Sequence, residues 1–302
     1  MKKNGNGSRG FLIVGVVSAM VLVGSIVAIV MIKYHSYKAN KQYEDLQAQM
    51  TTTQTIENAA IDEAAISEAD EDAAGAVSES DATGQDAAGT LDIADTNSGL
   101  WDAAYIRTPD KEVNFDELQG INPDVYAWIT IPGTEIDYPI AHCDKDNAIY
   151  LEQDINKKSS AYGMIFTDTW NPNDFSDRMT LVYGHNMKDG SMFAGLHAFR
   201  DSKFFEEHDT IEIYMPEGEL DYKIFACYTA KNEHILEKNN FQDDVAYLCY
   251  IEDVKNIRDM SANIRDMEID TDDRMITLVT CIGDQSKRLF VQAVLQEPDV
   301  NE

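Results

Sequence analysis

The sequence predicts a mainly β fold, a barrel or sandwich of short strands with one helix packed on it, set behind an apolar segment and a long acidic stretch. Three observations carry this expectation. From Val113 to about Pro298, short runs of apolar, β-branched and aromatic residues are punctuated by Gly and Pro. Within that region, Asp243 to about Arg265 departs from the strand pattern and repeats its apolar residues at helical spacing. Ahead of it, residues 11–32 carry no charge, and no Lys or Arg occurs between Lys41 and Arg107.

Taken in order, residues 1–10 read as a short tail on the cytoplasmic side. The run Phe11 to Ile32 reads as a transmembrane signal anchor, since at about 1.5 Å per residue it spans a hydrocarbon core of roughly 30 Å. The alternative, a cleaved signal peptide, has an apolar core of about 7–15 residues ending at a small-x-small site. Lys2, Lys3 and Arg9 precede the run and Lys33, Lys38 and Lys41 follow it, so charge alone does not orient it. A short N-terminal tail with the whole soluble mass beyond the span implies a single-pass protein of the cell membrane, N-terminus inside and folded domain outside. Residues 33–108 form an acidic linker, rich in Ala, Asp, Glu, Thr, Ser and Gly, that buries too little apolar surface to offset the entropy of ordering. Its first part, 41–74, has a helix-compatible composition. Residues 109–298 make one domain of ordinary size.

Eight strands are expected in that domain. Ile129–Ile131 and Ile136–Ile140 flank the turn Pro132-Gly133-Thr134, and Gly163–Phe166, Met179–Tyr183, Thr210–Met215, Leu220–Tyr228, Met275–Thr280 and Leu289–Leu295 follow. Between the sixth and seventh, a helix over 243–265 presents Val245, Leu248, Ile251, Val254 and Ile257 as its apolar face. The formal net charge of -30 argues against nucleic-acid binding, because phosphates would be repelled over much of the surface.

Three residues stand at predicted strand ends and suit one chemistry. Cys281 closes Thr277-Leu278-Val279-Thr280-Cys281, a rim position where a thiol is reachable and a nearby cation favours its thiolate. His185 follows Leu181-Val182-Tyr183-Gly184, and imidazole titrates close to working pH, as proton transfer requires. Arg288 opens the last strand and suits a developing oxyanion. Lys287 adjoins it, but a planar guanidinium fits that task better than a point charge. Each residue alone has a bland reading: a buried cysteine, a turn histidine, a solvated arginine.

Together with their neighbours they resemble the class B sortases, cell-surface cysteine transpeptidases of Gram-positive bacteria. The resemblance covers roughly Asn114 to Leu295. It rests on Phe115-Asp116-Glu117-Leu118 with Ile121-Asn122-Pro123-Asp124, on Trp128-Ile129-x-Ile131-Pro132-Gly133-Thr134 and on Ile136-Asp137-Tyr138-Pro139. Tyr183-Gly184-His185-Asn186-Met187, Asp189-Gly190-Ser191-Met192-Phe193 and the Thr-Leu-x-Thr-Cys ending at Cys281 complete it. The resemblance implies an eight-stranded barrel with N-terminal helices and a helix inserted between strands six and seven. It implies Cys281 as nucleophile, His185 as acid, Arg288 at the oxyanion, and Thr280, Val279 and Asn186 as substrate contacts. The implied partners are secreted proteins with LPXTG-like or NPQTN-like sorting signals and an amine of a peptidoglycan precursor or a pilin Lys. No cofactor or metal is implied, since two acyl transfers conserve the peptide-bond energy. Two departures touch the substrate contacts: Val279 stands where the class commonly has Ser, and the loop from Cys281 to Arg288 is short.

Two other functions are weighed against this one. A thiol hydrolase would pass the same acyl group to water, and a silent envelope-binding module would function without Cys281. Of the remaining cysteines, Cys227 and Cys249 are expected in the core. Cys143, in His142-Cys143-Asp144, lacks a second ligand pair at metal spacing.

Overall fold

Strand β8 (Met275–Cys281), flanked by two long pairings in the sheet order, sets the architecture. Ile276, Thr277, Val279 and Thr280 are β-branched, which suits a pleated surface, and the strand is buried on both faces until Cys281. The computed structural model describes residues 23–31, 33–34, 37–49, 105–109, 111–146 and 148–298. The expected cytoplasmic tail, residues 11–22 of the apolar run and residues 50–104 of the acidic stretch lie outside the described residues. Residues 23–31 of the run are helical, and among the described residues no helix is long and apolar enough to cross a membrane.

The other strands are β1 (Val125–Thr130), β2 (Asp137–Ala141), β3 (Ile165–Thr167), β4 (Met179–Tyr183), β5 (Thr210–Met215), β6 (Gly218–Lys231), the two-residue β7 (Asn263–Ile264) and β9 (Lys287–Leu295). They form one sheet in the order β5-β1-β2-β3-β4-β8-β9-β6-β7, and a β5–β6 pairing closes it into a barrel of eight strands, with β7 a short addition to β6. Closure leaves the long strands no free edge. The barrel is mixed: β2–β3 and β4–β8 run parallel, and the other pairs run antiparallel. All eight expected strands are present, and β1 begins earlier than expected, at Val125, so that Trp128 enters the core fully buried.

Two packed layers follow from the two faces of the barrel wall. Inside, Ile129, Ile140, Val182, Ile213, Leu278 and Val291 belong to one buried cluster. Outside, helix α5 (Asp244–Lys255) contributes Tyr247, Ile251 and Val254 to a second buried cluster that includes Leu181, Phe225, Val279 and Phe290. The Asp243 side chain caps α5 by accepting from Ala246 N, and Arg178 of β4's approach pairs with Asp244 at 2.7 Å while lying over the Tyr247 ring.

This helix corrects the sequence reading in two ways. It ends at Lys255 rather than near 265, because Asp259 turns the chain by accepting from Ser261 N and Oγ, and Asn263–Ile264 then pair with β6. Its buried face is Tyr247, Ile251 and Val254, whereas Val245 is 70% exposed. A strict three-residue spacing drifts around a helix of 3.6 residues per turn, so the expected five residues cannot share one face. Cys249 is likewise exposed rather than in the core, while Cys227 is buried as expected.

Ahead of the barrel, residues 37–49 form helix α1, and Phe115–Ile121 form α2, capped by the Asn114 side chain on Glu117 N. Within α1, Tyr43 is buried, packs edge-on against Tyr138 at 5.5 Å and donates to Gly163 O at 2.7 Å. Two further helices, α3 (Ser202–Glu207) and α4 (Ile235–Lys238), flank β5 and α5 in the chain.

Candidate active site

The adjacent strands β4, β8 and β9 bring their ends together. The parallel register sets Tyr183 beside Val279, and the antiparallel register sets Cys281 directly opposite Arg288. Residues directly opposite on adjacent strands share a face, with Cβ atoms about 4.5–5.5 Å apart. Alternation then puts Val279, Cys281, Arg288 and Phe290 on the outer face of the barrel wall and Thr280 on the inner face. Lys287, one residue away, is exposed and faces the other way, so the register selects Arg288. Nη1 of Arg288 donates to Lys287 O at 2.9 Å and to Gln285 O at 3.2 Å, holding the guanidinium above the short loop.

Between Tyr183 and His185 the chain passes through a tight point. Gly184 N donates to Val279 O at 3.2 Å, and its carbonyl accepts from Thr280 Oγ1 at 2.7 Å. A Cβ at this position would lie 2.5 Å from Ile165 Cδ1 and 2.6 Å from Phe193 Cγ, so only glycine fits. His185 emerges next, and its Nε2 lies 2.8 Å from Leu151 O. A carbonyl only accepts, so this bond places a proton on Nε2.

The turn after His185 is firmly built. Phe193 N donates to His185 O at 2.9 Å, and Asn186 bridges to Met192. Buried Met192 has φ 56, and its N–H donates to Tyr138 Oη at 3.1 Å. Asp189 accepts from the Tyr162 hydroxyl and from Ser191 N and Oγ. Partial burial alone would raise the Asp189 pKa, but these hydrogen bonds outweigh it and hold the carboxyl below the usual carboxylate range.

A groove of about 410 Å³ runs from Cys281, His185 and Arg288 over Val279, Leu181 and Phe290. Leu151 and Ala148 wall one side, and Asn232 to Ile235 wall the other. The second wall is pinned by His234: its Nε2 lies 2.7 Å from Asp168 Oδ2, and its Nδ1 accepts from Glu237 N at the start of α4. Asp168 is fully buried and also accepts from the Tyr183 hydroxyl at 2.9 Å. Burial, with the Asp168 charge beside it, pushes the Tyr183 phenol up, so it remains a donor.

Of the expected substrate contacts, Val279 and Thr280 line the groove and Asn186 does not. The Thr280 hydroxyl is directed to Gly184 O, and the Asn186 amide Nδ2 donates to Cys281 O at 2.8 Å, so both tie strand ends together. Three residues that sequence reasoning missed join the site: His234 in the wall, buried Asp168 behind it, and His197, whose Nε2 lies 3.0 Å from Cys281 O. Before His234-Ile235-Leu236-Glu237 the one available signal was its place as a helix cap; for His197 and Asp168 no spacing pointed to the site. Elsewhere, all four cysteines are free, and no group of three metal-ligating side chains occurs among the described residues. His142 beside Cys143 is engaged with Thr167 and Asp144.

Comparison with known proteins identifies the family. The sortase domain family model matches residues 129–296. The chain is 37% identical over 165 residues to Sortase B of Listeria monocytogenes, a match spanning 55% of this chain and 65% of that protein. It is 30% identical over 184 residues to Sortase B of Staphylococcus aureus, covering 59% and 73% respectively. The crystal structure of Clostridium perfringens sortase B superposes with a TM-score of 0.52 at 32% identity, over 60% of this chain and 99% of that one.

Proposed function

The chain belongs to the sortase family, with class B sortases as its relatives, and on that premise we propose that it is a membrane-tethered cysteine transpeptidase acting on sorting signals outside the cell. The observation that carries the reading is the shared outer face of Cys281 and its register partner Arg288, with His185 just past the end of the neighbouring strand, all lining one apolar groove. In this reading the Cys281 thiolate attacks the carbonyl carbon of a Thr in the sorting signal. The carbonyl electrons move onto oxygen, where the Arg288 guanidinium offsets the charge. Collapse breaks the peptide bond, His185 delivers a proton to the departing amine, and a thioester to Cys281 remains. An amine of a peptidoglycan precursor, or a pilin Lys, gives its proton to His185, attacks the thioester and releases the thiolate. The uncharged run 11–32 supports a single-pass anchor, which we place with the N-terminus inside so that the folded domain lies where the sorting signals would be.

The test uses the full chain in detergent with a panel of fluorogenic pentapeptides of LPXTG and NPQTN type, with and without an amine acceptor. The expected result is cleavage by the wild type, a ligated product when amine is added, and no turnover by Cys281→Ala. Equal turnover by both proteins ends the proposal, and cleavage that never yields ligated product converts it to a thiol hydrolase.

A further inference from the structure

Two side chains converge on the main chain of the nucleophile itself. Asn186 Nδ2 donates to Cys281 O at 2.8 Å, His197 Nε2 lies 3.0 Å from the same oxygen, and the two nitrogens are 3.0 Å apart. With the proton on Nε2, both nitrogens donate to the two lone pairs of one oxygen; with Nε2 bare, it accepts the second Asn186 N–H and His197 braces the carbonyl through Asn186. We infer that Asn186 and His197 are positioning residues for the transpeptidation reaction, fixing the Cys281–Ile282 peptide plane and with it the direction of the Cys281 thiol; this rests on the proposed function.

The local structure explains why such a device is needed. Strand β4 ends at Tyr183, so beyond the Tyr183–Val279 pair the neighbouring ladder gives way to side chains. At Cys281 β8 also ends, and the chain enters the loop to Lys287. The terminal carbonyl is held by side chains in place of a neighbouring strand. Because a peptide unit is planar, anchoring this oxygen fixes ψ of Cys281. Thr280, bonded to Gly184 O, fixes the preceding residue. Asn186 directly follows His185, so the same bond ties the acid's backbone to the nucleophile's. The second side chain is rigid: His197 lies on the 3-10 helix Phe193–Arg200, whose Phe193, Leu196 and Phe199 are fully buried in the barrel interior.

The experiment compares full chains in detergent carrying His197→Phe, which keeps a ring and loses the hydrogen bond, His197→Gln, which restores an amide donor, and Asn186→Ala. Kinetics on the best peptide of the panel should show kcat falling about 10- to 100-fold for His197→Phe and Asn186→Ala with KM within about twofold, as misalignment without lost binding requires. His197→Gln should recover most of kcat. In parallel, the backbone carbonyl ¹³C resonance of Cys281 should move upfield in His197→Phe and return in His197→Gln. A rise in KM at constant kcat would make these residues substrate contacts and overturn the inference. So would an unmoved carbonyl resonance, or a His197→Gln protein no better than His197→Phe. Wild-type turnover no greater than that of Cys281→Ala would instead sink the transpeptidase reading, with the carbonyl resonance still reporting on the bonds.

Discussion

Replacing Gly184 by Ala probes how tightly the site is held. The added methyl would lie 2.6 Å from Phe193 Cγ and 2.5 Å from Ile165 Cδ1, whereas ordinary contact begins near 3.4 Å. Cδ1 is the flexible end of its side chain and can swing away. Phe193 Cγ is the root of a fully buried ring, and Phe193 N is bonded to His185 O at 2.9 Å, so it cannot. Relief must come from the Gly184 backbone, by roughly 0.8 Å, and a misplacement near 1 Å can lower rate about 10²-fold. That displacement pulls on Gly184 N→Val279 O and Thr280 Oγ1→Gly184 O, the bonds that join β4 to β8 beside the candidate nucleophile. Overpacking of this kind also costs about 1–3 kcal/mol of stability. Steady-state cleavage of a fluorogenic sorting peptide, with thermal unfolding of the same protein, measures both. The expected result is a folded protein of lowered melting temperature with kcat/KM down about 10²-fold. A variant with wild-type kcat/KM and melting temperature would show that the strand ends tolerate movement and refute the argument.

Other outcomes follow from the same geometry. Arg288→Ala should lower kcat about 10²–10³-fold and Arg288→Lys should restore part of it, whereas Lys287→Ala should leave kcat within about twofold, because only Arg288 shares a face with Cys281. Matching losses for Lys287 and Arg288 in steady-state assays would mean the register is misread. Burial pushes the Cys227 thiol up to about 12, so native iodoacetamide labelling read by mass spectrometry should modify exposed Cys249 and leave Cys227 untouched until the protein is unfolded. Asp189, whose folded pKa is depressed, contributes stability that is present above the unfolded value of about 3.9 and lost as pH falls through the lower folded value. Asp189→Asn should therefore lower the melting temperature near neutral pH and flatten its fall between about pH 4 and pH 2; an unchanged acid limb would refute the assignment.

The strands were legible because each is a short run rich in β-branched and aromatic residues bounded by Gly, Pro or polar turns, a signal carried entirely in local sequence. The early start of β1 was hidden by Asn122-Pro123-Asp124, which reads as a turn although Val125 enters the sheet directly after it. Helix α5 is legible in sequence but its buried face is not, since Val245 and Leu248 look as apolar as the residues that α5 buries. Cys281, His185 and Arg288 were readable as strand-end residues flanked by motifs. Their supports were not. His197 reaches Cys281 across 84 residues and His234 reaches Asp168 across 66, and nothing local to either histidine specifies a partner that distant. Thr280 and Asn186 were singled out, but their direction is set by inter-strand bonds that only the fold defines.

Position 281 itself follows from the burial of β8. Every residue from Met275 to Thr280 is buried, and exposure first appears at Cys281. A thiol at 279 would share the outer face but sit where Val279 is 5% exposed, within the second buried cluster. A thiol at 280 would face the barrel interior, and one at 282 would lie past the last residue paired with β9. Of the residues in β8, Cys281 alone combines the outer face, a register partner that is a guanidinium, and an opening to the groove. A reactive thiol needs access and a cation, while catalysis needs a fixed direction. The end of a doubly buried strand supplies both, provided the last carbonyl is held, as Asn186 and His197 hold it here.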